Sequence, residues 1–331
     1  MPSILSLPPA PELYAPFYEG ETIHIHASDE EIQGENAEQW ARTMEELVRH
    51  HISIILGNGV GTQAVREHFI VTEAGGVLDG PDAEHPGGGT VVPMLFWDEM
   101  NADGSHPRYT VDGNTQRMLM DVRMNDPGTR LVVTSAGDIP TELFSVGGKG
   151  TLVIARERLV ADTPTDKEKC IVRYVIDRLE QLGIFRPRTG EEKNQAVDHH
   201  LVLREHTPLT GCSLIGYDDD SVELGAMWSG YNGMGKILAK AAQDKFLAMF
   251  PAHRTLFALT TPDDVRNPPE NDPALRRFVR YGFRPAGKLS DAKTSGRAPA
   301  HLDSYDTGTR NPYLFIYENP APGSGSKGIG G

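Results

Sequence analysis

The chain has 331 residues, of which 38% are hydrophobic and 24% are charged, and its formal net charge at pH 7 is −14. This length exceeds one ordinary core and predicts two domains of roughly 100–200 residues each. The negative charge repels phosphate backbones, so no nucleic-acid partner is expected. No run of ~18 apolar residues could cross a bilayer, and Met1-Pro2-Ser3 does not begin a secretory signal. We therefore expect a cytoplasmic protein with no membrane partner.

Cysteines and histidines argue against a disulfide framework or a metal site. Cys170 and Cys212 are the only cysteines and lack the spacing of zinc ligands. No histidine follows Cys212 at a fixed spacing, so we expect a buried, inert thiol rather than a nucleophile. The adjacent His199 and His200 would point to opposite faces of a strand, and the aspartates at 218–220 are typical of a solvated turn. These patterns predict no metal.

The first half of the chain begins with alternating strand and helix patterns. Residues 1–19 are proline-rich and are expected to be flexible. Trp40, Met44 and Leu47 are spaced i, i+4, i+7, which is typical of a helix packed on a sheet. The predicted elements are strands over 22–26, 52–56, 90–96 and 131–133, a helix over 35–50 and a helix that starts at 114.

A polar, proline-bearing segment over 162–167 indicates a boundary, so we predict domains over 20–161 and 162–318, with a disordered tail over 319–331. The elements predicted in the second domain are helices over 168–182, 234–249 and 273–281 and strands over 201–204, 212–217, 222–228, 255–259 and 313–317.

The most informative motif is a glycine-rich turn between the strand over 222–228 and the following helix. This segment, the glycine turn (residues 229–235), carries Gly230, Gly233 and Gly235. A strand, a glycine-rich turn and a helix N-terminus in succession aim backbone N–H groups and the helix dipole at an anion. Glycines also let a diphosphate approach the backbone closely. The motif therefore predicts a diphosphate cradle.

The glycine turn resembles the Q/R-x-x-G-x-G/A pattern of GNAT acyltransferases, with Gly230 where that family prefers Gln or Arg. A second family signature is similar to residues 274–283, Ala-Leu-Arg-Arg-Phe-Val-Arg-Tyr-Gly-Phe, in which Phe278 replaces a tyrosine general acid. The resemblance implies a mixed, splayed sheet and acetyl-CoA as cosubstrate. The residues that it implies as coenzyme contacts are Met227, Trp228, Ser229, Tyr231, Asn232, Gly233, Met234, Gly235 and Lys236.

Residues 179–317 more closely resemble the acetyltransferase domain of bacterial N-acetylglutamate synthases. Residues 179–185, Leu-Glu-Gln-Leu-Gly-Ile-Phe, are similar to that family's L-E-E-Q-G-I-L, and residues 256–261, Leu-Phe-Ala-Leu-Thr-Thr, to its L-F-V/A-L-T/S-T. Near the C-terminus, Thr309-Arg310-Asn311 is similar to an R-N-S segment, although Pro312 replaces the serine. The resemblance implies glutamate as the acetyl acceptor.

The same resemblance implies roles for individual side chains. Glu223 falls on the proposed general base, which must deprotonate the acceptor ammonium. Thr260 falls where a hydroxyl can protonate the departing thiolate, and a backbone N–H around Met227 to Ser229 would polarise the acetyl carbonyl. The residues predicted to bind the acceptor are Arg188 and Arg310, whose guanidinium groups suit its carboxylates, together with Arg186 and Ala226.

Before this domain, residues 20–161 resemble a truncated amino-acid-kinase domain. Residues 72–79 are similar to its T-D-x-x-G-V-L-D and residues 142–152 to its E-L-F-T-x-x-G-x-G-T. About a hundred residues and the phosphate-binding lysine are missing, so phosphoryl transfer is not expected. The predicted fold class is therefore α/β: a truncated kinase-like domain followed by a GNAT domain with a mixed, splayed sheet. The resemblance implies a homo-oligomer assembled through the first domain, with arginine feedback open.

Three functions remain open on the sequence. The first is direct transfer of acetyl to the α-amine of glutamate, in arginine or specialised amino-acid biosynthesis. The second is acetylation of a different or modified amino acid, because Asp177 stands where the family has an arginine. The third is a non-catalytic sensor of CoA or an amino acid, against which the glutamate at 223 argues.

Overall fold

The structure is a computed structural model, and it describes residues 7–28, 32–33, 37–57, 65–79, 89–127, 129–217, 219–231, 233–251, 255–260, 272–305 and 311–318. These residues form a six-stranded sheet, a seven-stranded sheet and a small three-stranded sheet. The six-stranded sheet belongs to the first half of the chain (residues 7–154), and the seven-stranded sheet to the second half (residues 160–318). None of the helices among them is long and apolar enough to cross a membrane.

The first half is built on a mostly parallel sheet. Its strands are β1 (Thr22–His26), β2 (Ser53–Leu56), β3 (Glu67–Val71), β4 (Leu78–Asp79), β5 (Thr90–Val91), β6 (Met94–Phe96), β7 (Tyr109–Thr110), β8 (Arg130–Thr134) and β9 (Thr151–Ile154). The main sheet has the order β2-β1-β3-β8-β9-β6, and β8–β9 is its antiparallel pair. Strands β3, β8 and β9 are buried along their whole length, as parallel strands covered on both faces are.

Helices cover this sheet on both faces. They are α1 (Pro11–Tyr14), α2 (Ala37–Arg49), α3 (Gly113–Asn125) and α4 (Ile139–Phe144). Helix α2 buries Trp40, Thr43 and Leu47 along one side, as the helical spacing predicts. Asp112 begins α3 because its carboxylate accepts hydrogen bonds from the backbone N–H groups of Asn114 and Thr115.

The second half contains the mixed sheet. Its strands are β10 (Val160–Asp162), β11 (His200–Arg204), β12 (Pro208–Gly216), β13 (Ser221–Ser229), β14 (Thr255–Thr260), β15 (Arg284–Lys288) and β16 (Tyr313–Glu318). Their order is β10-β11-β12-β13-β14-β16-β15, and β13 and β14 are its parallel pair. The helices are α5 (Asp166–Gln181), α6 (Gly190–Asp198), α7 (Met234–Met249), α8 (Pro273–Arg280) and α9 (Leu289–Thr294).

The predicted α/β class and the mixed sheet of the second half are confirmed, and α7 has the bounds that the sequence predicts. The strand predicted over 90–96 is instead two strands in different sheets, because Pro93 has no N–H for a continuous ladder. Helices α6 and α9 and strand β15 have no counterpart in the sequence prediction. Strand β15 lies at the sheet edge, where Pro285 is tolerated, and its residues Arg-Pro-Ala-Gly-Lys show no apolar alternation.

The N-terminal segment differs from the flexible stretch that composition predicts. Leu7 and Ala10 are 2% exposed, and Tyr14 and Tyr18 are fully buried. The N–H of Ala10 donates a hydrogen bond of 2.7 Å to the carbonyl of Phe144. Residues 7–18 are therefore part of the core, because their aromatic side chains fill space beside the sheet. Residues 1–6 and the predicted tail over 319–331 lie outside the described residues.

A buried ion pair connects the two halves. Glu67 and Arg130 are directly opposite each other on β3 and β8, and Arg130 Nε lies 2.7 Å from Glu67 Oε1. The side chains of both are at most 2% exposed. Tyr18 donates a hydrogen bond to Glu67, and Arg130 donates one of 3.3 Å to Thr207, which precedes β12. The pair thereby ties the first sheet to both the N-terminal segment and the second sheet.

Candidate functional site

The parallel strands β13 and β14 separate part of the way along their length. Their pairing covers Ser221–Glu223 against Thr255–Phe257 and stops there. Strand β14 stays paired with β16 as far as Thr260, opposite Tyr313. Residues 225–229 of β13 and residues 258–260 of β14 are therefore not paired with each other, and we call the region between these two segments the cleft. Backbone groups on the facing edges are not joined to each other there, so a bound molecule can take their hydrogen bonds.

A β-bulge shapes the β13 wall of this cleft. Gly225 is paired with Ser213 and Trp228 with Gly211, so Ala226 and Met227 together lie opposite Cys212. Ala226 has φ +43°, a value that non-glycine residues rarely adopt. Such bulges interrupt the ladder and redirect backbone groups. The ladder between β12 and β13 is thus irregular at Ala226 and Met227.

The glycine turn leads from β13 into α7 at the mouth of the cleft. Gly233 caps the helix with φ +93°, a conformation that favours glycine. Helix α7 is anchored by the fully buried Met234, Leu238 and Phe246, whereas Lys236 in its first turn is exposed. The helix N-terminus therefore stays at the surface with its positive dipole end available to an anion. Asn232, a predicted coenzyme contact, lies outside the described residues.

The structure explains why glycine stands at position 230. A Cβ on Gly230 would overlap the carbonyl of Val146, and a Cβ on Gly147 would lie 2.6 Å from the carbonyl oxygen of Gly230. No Gln or Arg can occupy position 230, because the loop between α4 and β9 packs directly on the glycine turn. Tyr231 is 2% exposed and accepts a hydrogen bond of 3.4 Å from the N–H of Gly148. The Tyr231 side chain thus faces the first half, which leaves the backbone of Tyr231 for contact with a ligand.

Helix α8 places aromatic side chains beside the helix N-terminus. The Phe278 ring stacks on Phe315 with 5.1 Å between centroids. The Tyr281 hydroxyl lies so close to Gly235 that a Cβ there would collide with it. Burial raises the pKa of Tyr281 despite the nearby Arg277 and Arg280, so this hydroxyl is a proton donor at neutral pH. The sequence analysis did not single out Tyr281, although it is part of the signature over 274–283.

Glu223 is located where β13 and β14 part. Its Oε2 accepts a hydrogen bond of 2.9 Å from the hydroxyl of Tyr217. Its other oxygen lies over Gly225, because a Cβ on that glycine would be 2.7 Å from Oε1. The carboxylate is half-buried and oriented by a fixed donor. No role was predicted for Tyr217 from the sequence, although the signal was available: it ends the strand predicted over 212–217, and β12 and β13 are an antiparallel pair.

The predicted acceptor-binding arginines have different surroundings. Arg186 pairs with Glu192 at 2.9 Å and remains 44% exposed. Although burial acts in the opposite direction, Glu192, Glu223 and Tyr305 raise the pKa of Arg186. Arg188 is 10% exposed and pairs with Glu180 at 3.2 Å, and Glu180 also pairs with Lys193 at 2.9 Å. Arg310 lies outside the described residues.

The remaining predicted residues take up separate positions. Thr260 is the half-buried last residue of β14, on the cleft wall opposite β13. Ser229 donates a hydrogen bond of 2.7 Å to the carbonyl of Tyr231 and so stabilises the glycine turn. Cys212 is fully buried, and burial raises the pKa of its thiol. This agrees with an inert thiol.

The ring of Trp228 is held in place by a hydrogen bond to a neutral histidine. The Trp228 ring N–H donates a hydrogen bond of 3.0 Å to His200 Nε2, and His200 Nδ1 lies 3.2 Å from the carbonyl of Ala196. His200 therefore carries its proton on Nδ1, because Nε2 must accept. Burial lowers the pKa of His200 to about 3. The neutral imidazole fixes the last part of β13 before the glycine turn.

The chain was compared with known proteins. No family model matches it, and no curated protein matches it. Among solved structures it is similar to N-acetylglutamate synthase from Neisseria gonorrhoeae complexed with coenzyme A and N-acetyl-glutamate, at 13% identity and TM-score 0.39, over 92% of this chain and 96% of that one. The complex of that enzyme with coenzyme A and L-arginine is similar at 15% identity and TM-score 0.41, over 84% of this chain and 64% of that one. A GNAT acetyltransferase from Staphylococcus aureus Mu50 is similar at 12% identity and TM-score 0.34, over 48% of this chain and 98% of that one.

Acidification should weaken the fold through His200. The folded-state pKa of about 3 lies below the ordinary 6.5, so the unfolded chain binds the proton between these values. The stabilisation is complete above pH 6.5 and is lost as the pH falls towards 3, at up to about 1.4 kcal/mol per pH unit. The free energy of unfolding can be measured by urea titration at pH 7 and at pH 5. Between these pH values it should fall by about 2 kcal/mol less in His200→Gln, whose side chain can still accept the Trp228 hydrogen bond, than in the unmodified chain. An equal loss in both proteins would contradict this assignment.

Proposed function

We propose that the chain is an N-acetyltransferase that moves acetyl from acetyl-CoA to the α-amine of glutamate or of a closely related amino acid. The observation that carries this proposal is the cleft between β13 and β14. It has a helix N-terminus suited to a diphosphate at its mouth and the Glu223 carboxylate where the strands part. The helix N-terminus can therefore bind the anionic coenzyme while Glu223 deprotonates the acceptor amino acid.

In this proposal the coenzyme lies along the cleft. Its diphosphate binds the N–H groups of the glycine turn and of the first turn of α7. Its pantetheine arm takes the place of a strand between residues 225–229 and 258–260, using backbone groups that the splay leaves unjoined. The acetyl group then lies at the bulge, where the N–H of Met227 polarises the carbonyl.

The chemical step follows from the groups around the cleft. Glu223, held by Tyr217, takes a proton from the acceptor ammonium, directly or through water. The amine attacks the acetyl carbonyl, and the tetrahedral oxyanion forms against the Met227 N–H. When the tetrahedral intermediate collapses, the C–N bond is retained, the C–S bond breaks, and the nitrogen releases its second proton to water. The CoA thiolate takes a proton through a hydroxyl, for which Thr260 is our candidate, and that hydroxyl recovers a proton from water. No acyl-enzyme is involved, in keeping with the buried Cys212.

For the acceptor carboxylates, the surroundings favour Arg186 over Arg188. Arg186 is partly exposed and Glu223 contributes to raising its pKa, whereas Arg188 is nearly buried and already paired with Glu180. Arg310 remains a prediction for the second carboxylate. The occupied Arg188 is also the observation that favours the second candidate, an acceptor other than glutamate, because one expected carboxylate partner is withdrawn.

Release of free CoA from acetyl-CoA, measured across the common amino acids, tests the function. We expect glutamate to give the highest kcat/KM, and N-acetylglutamate, whose amine is blocked, to give none. Activity that is higher with another amino acid would select the second candidate. CoA binding without turnover of any acceptor would indicate a sensor and would overturn the proposal.

Glu223→Gln should lower kcat by about 10²–10⁴-fold, because an amide cannot take the proton from the acceptor ammonium. The dissociation constant for CoA, measured by calorimetry, should not change, since the carboxylate lies away from the helix N-terminus. Glu157→Gln, at an exposed position between β9 and β10, is the matched control and should retain full activity. Full kcat in Glu223→Gln near neutral pH would show that the base is another group.

Gly147→Ala should weaken CoA binding roughly tenfold, equivalent to about 1.4 kcal/mol, although Gly147 lies outside the cleft. The new methyl group would lie 2.6 Å from the carbonyl of Gly230 and would push the glycine turn out of position. Gly190→Ala is the control, because nothing lies within 4 Å of its added Cβ. Calorimetry with CoA and far-UV circular dichroism would separate weaker binding from loss of fold. Equal affinity in both variants would show that the loop does not support the turn.

A further inference from the structure

Three histidine side chains share one face of the first sheet. His24 and His26 are two residues apart on β1, so both point to the same face. His68 on β3 is paired directly with His24, which brings it to that face as well. All three are at most 2% exposed. Their ring nitrogens lie within 4.8 Å of one another, one ligand atom from each residue.

The hydrogen bonds around these rings leave nitrogens turned towards one another. His26 Nε2 and His68 Nδ1 are 2.9 Å apart. His68 Nε2 lies 3.1 Å from the Asp126 carboxylate, at the C-terminal end of α3. In the part of the chain that the structure describes, no partner reaches His24 Nε2 or His26 Nδ1. A buried polar atom without a partner is costly, so these nitrogens need an explanation.

We propose that His24, His26 and His68 form a Zn²⁺ site. Imidazole nitrogens are ligands of borderline divalent ions such as zinc, whereas Mg²⁺ and Ca²⁺ require oxygen ligands. Three protein ligands leave a fourth position for water. A single ion would be bound by one nitrogen of each ring and would provide a partner for a nitrogen such as His24 Nε2, which is otherwise buried without one.

Asp126 supplies the outer interaction that such sites characteristically have. Histidines that bind a metal usually donate their other ring N–H to a carboxylate or a carbonyl, which fixes the tautomer. Asp126 holds the Nε2–H of His68 and so directs Nδ1 at His26 and His24. The backbone of Gly57 hydrogen-bonds to His24 in a corresponding way. Asp126 and Gly57 thus orient two of the three rings, those of His68 and His24.

The proposed site is separate from the cleft. Ile23, Ile25 and Phe69 alternate with the histidines along β1 and β3 and therefore point to the opposite face of the sheet. They pack in the same core as Trp228 and Tyr231 beside the glycine turn. The ion would thus tie β1 to β3 without touching the reacting groups, so its role is to stabilise the first sheet.

Metal binding to the tag-free, full-length protein tests this site. After treatment with a chelator, the protein is titrated with Zn²⁺ and its metal content is measured by mass spectrometry. We expect about one Zn²⁺ per chain, a higher melting temperature with Zn²⁺, and the visible absorption of tetrahedral Co²⁺ when that ion is substituted. No zinc retained by the folded, unmodified chain would overturn the proposal.

Two variants locate the ion. His24→Asn combined with His68→Asn should abolish binding, whereas His199→Gln, at an exposed histidine, should retain it. Unchanged binding in the double variant would overturn the assignment. If the double variant does not fold, Asp126→Asn decides, because its side chain is 30% exposed and only its carboxylate charge is removed. It should weaken Zn²⁺ binding by about 10–100-fold, and an unchanged affinity would contradict the site.

Discussion

The close packing of two glycine-containing loops is the constraint on which the candidate site depends. Gly147 and Gly230 approach so closely that neither tolerates a Cβ. The contact sets the path of the chain between β13 and α7, and therefore the direction of the backbone N–H groups at the helix N-terminus. Tyr231 secures the same contact through its buried ring and its hydrogen bond from Gly148. In this protein, loop packing replaces the long polar side chain expected at position 230.

This packing also gives the shortened first half a role that does not require phosphoryl transfer. Ile25 and Phe69 from the first sheet share one hydrophobic core with Trp228 and Phe246 from the second. The Glu67–Arg130 pair adds a polar connection in the same region. Removing one member of a buried ion pair is strongly destabilising, because the other charge stays buried. The first half therefore acts as a support that holds the glycine turn in place.

The cleft combines charges that the net composition does not reveal. The chain carries a formal charge of −14, yet the α7 N-terminus and Arg186 each present positive charge locally. Glu223 is oriented by Tyr217. In the function that we propose, an anionic coenzyme and an acidic amino acid are both bound by a strongly acidic protein. What matters is the local placement of dipoles and guanidinium groups rather than the total charge.

The sequence by itself determined the α/β class, the bounds of α7 and the position of the glycine turn, because helical periodicity and glycine placement are local properties. It also singled out Glu223 and Arg186, although only by resemblance. The tertiary structure alone decided that Arg188 is paired with Glu180, that Tyr217 orients Glu223, and that position 230 must be glycine. It alone brings His68 opposite His24, through strand register. Each of these depends on contacts between residues far apart in the chain, and a pattern of neighbouring residues does not specify such contacts.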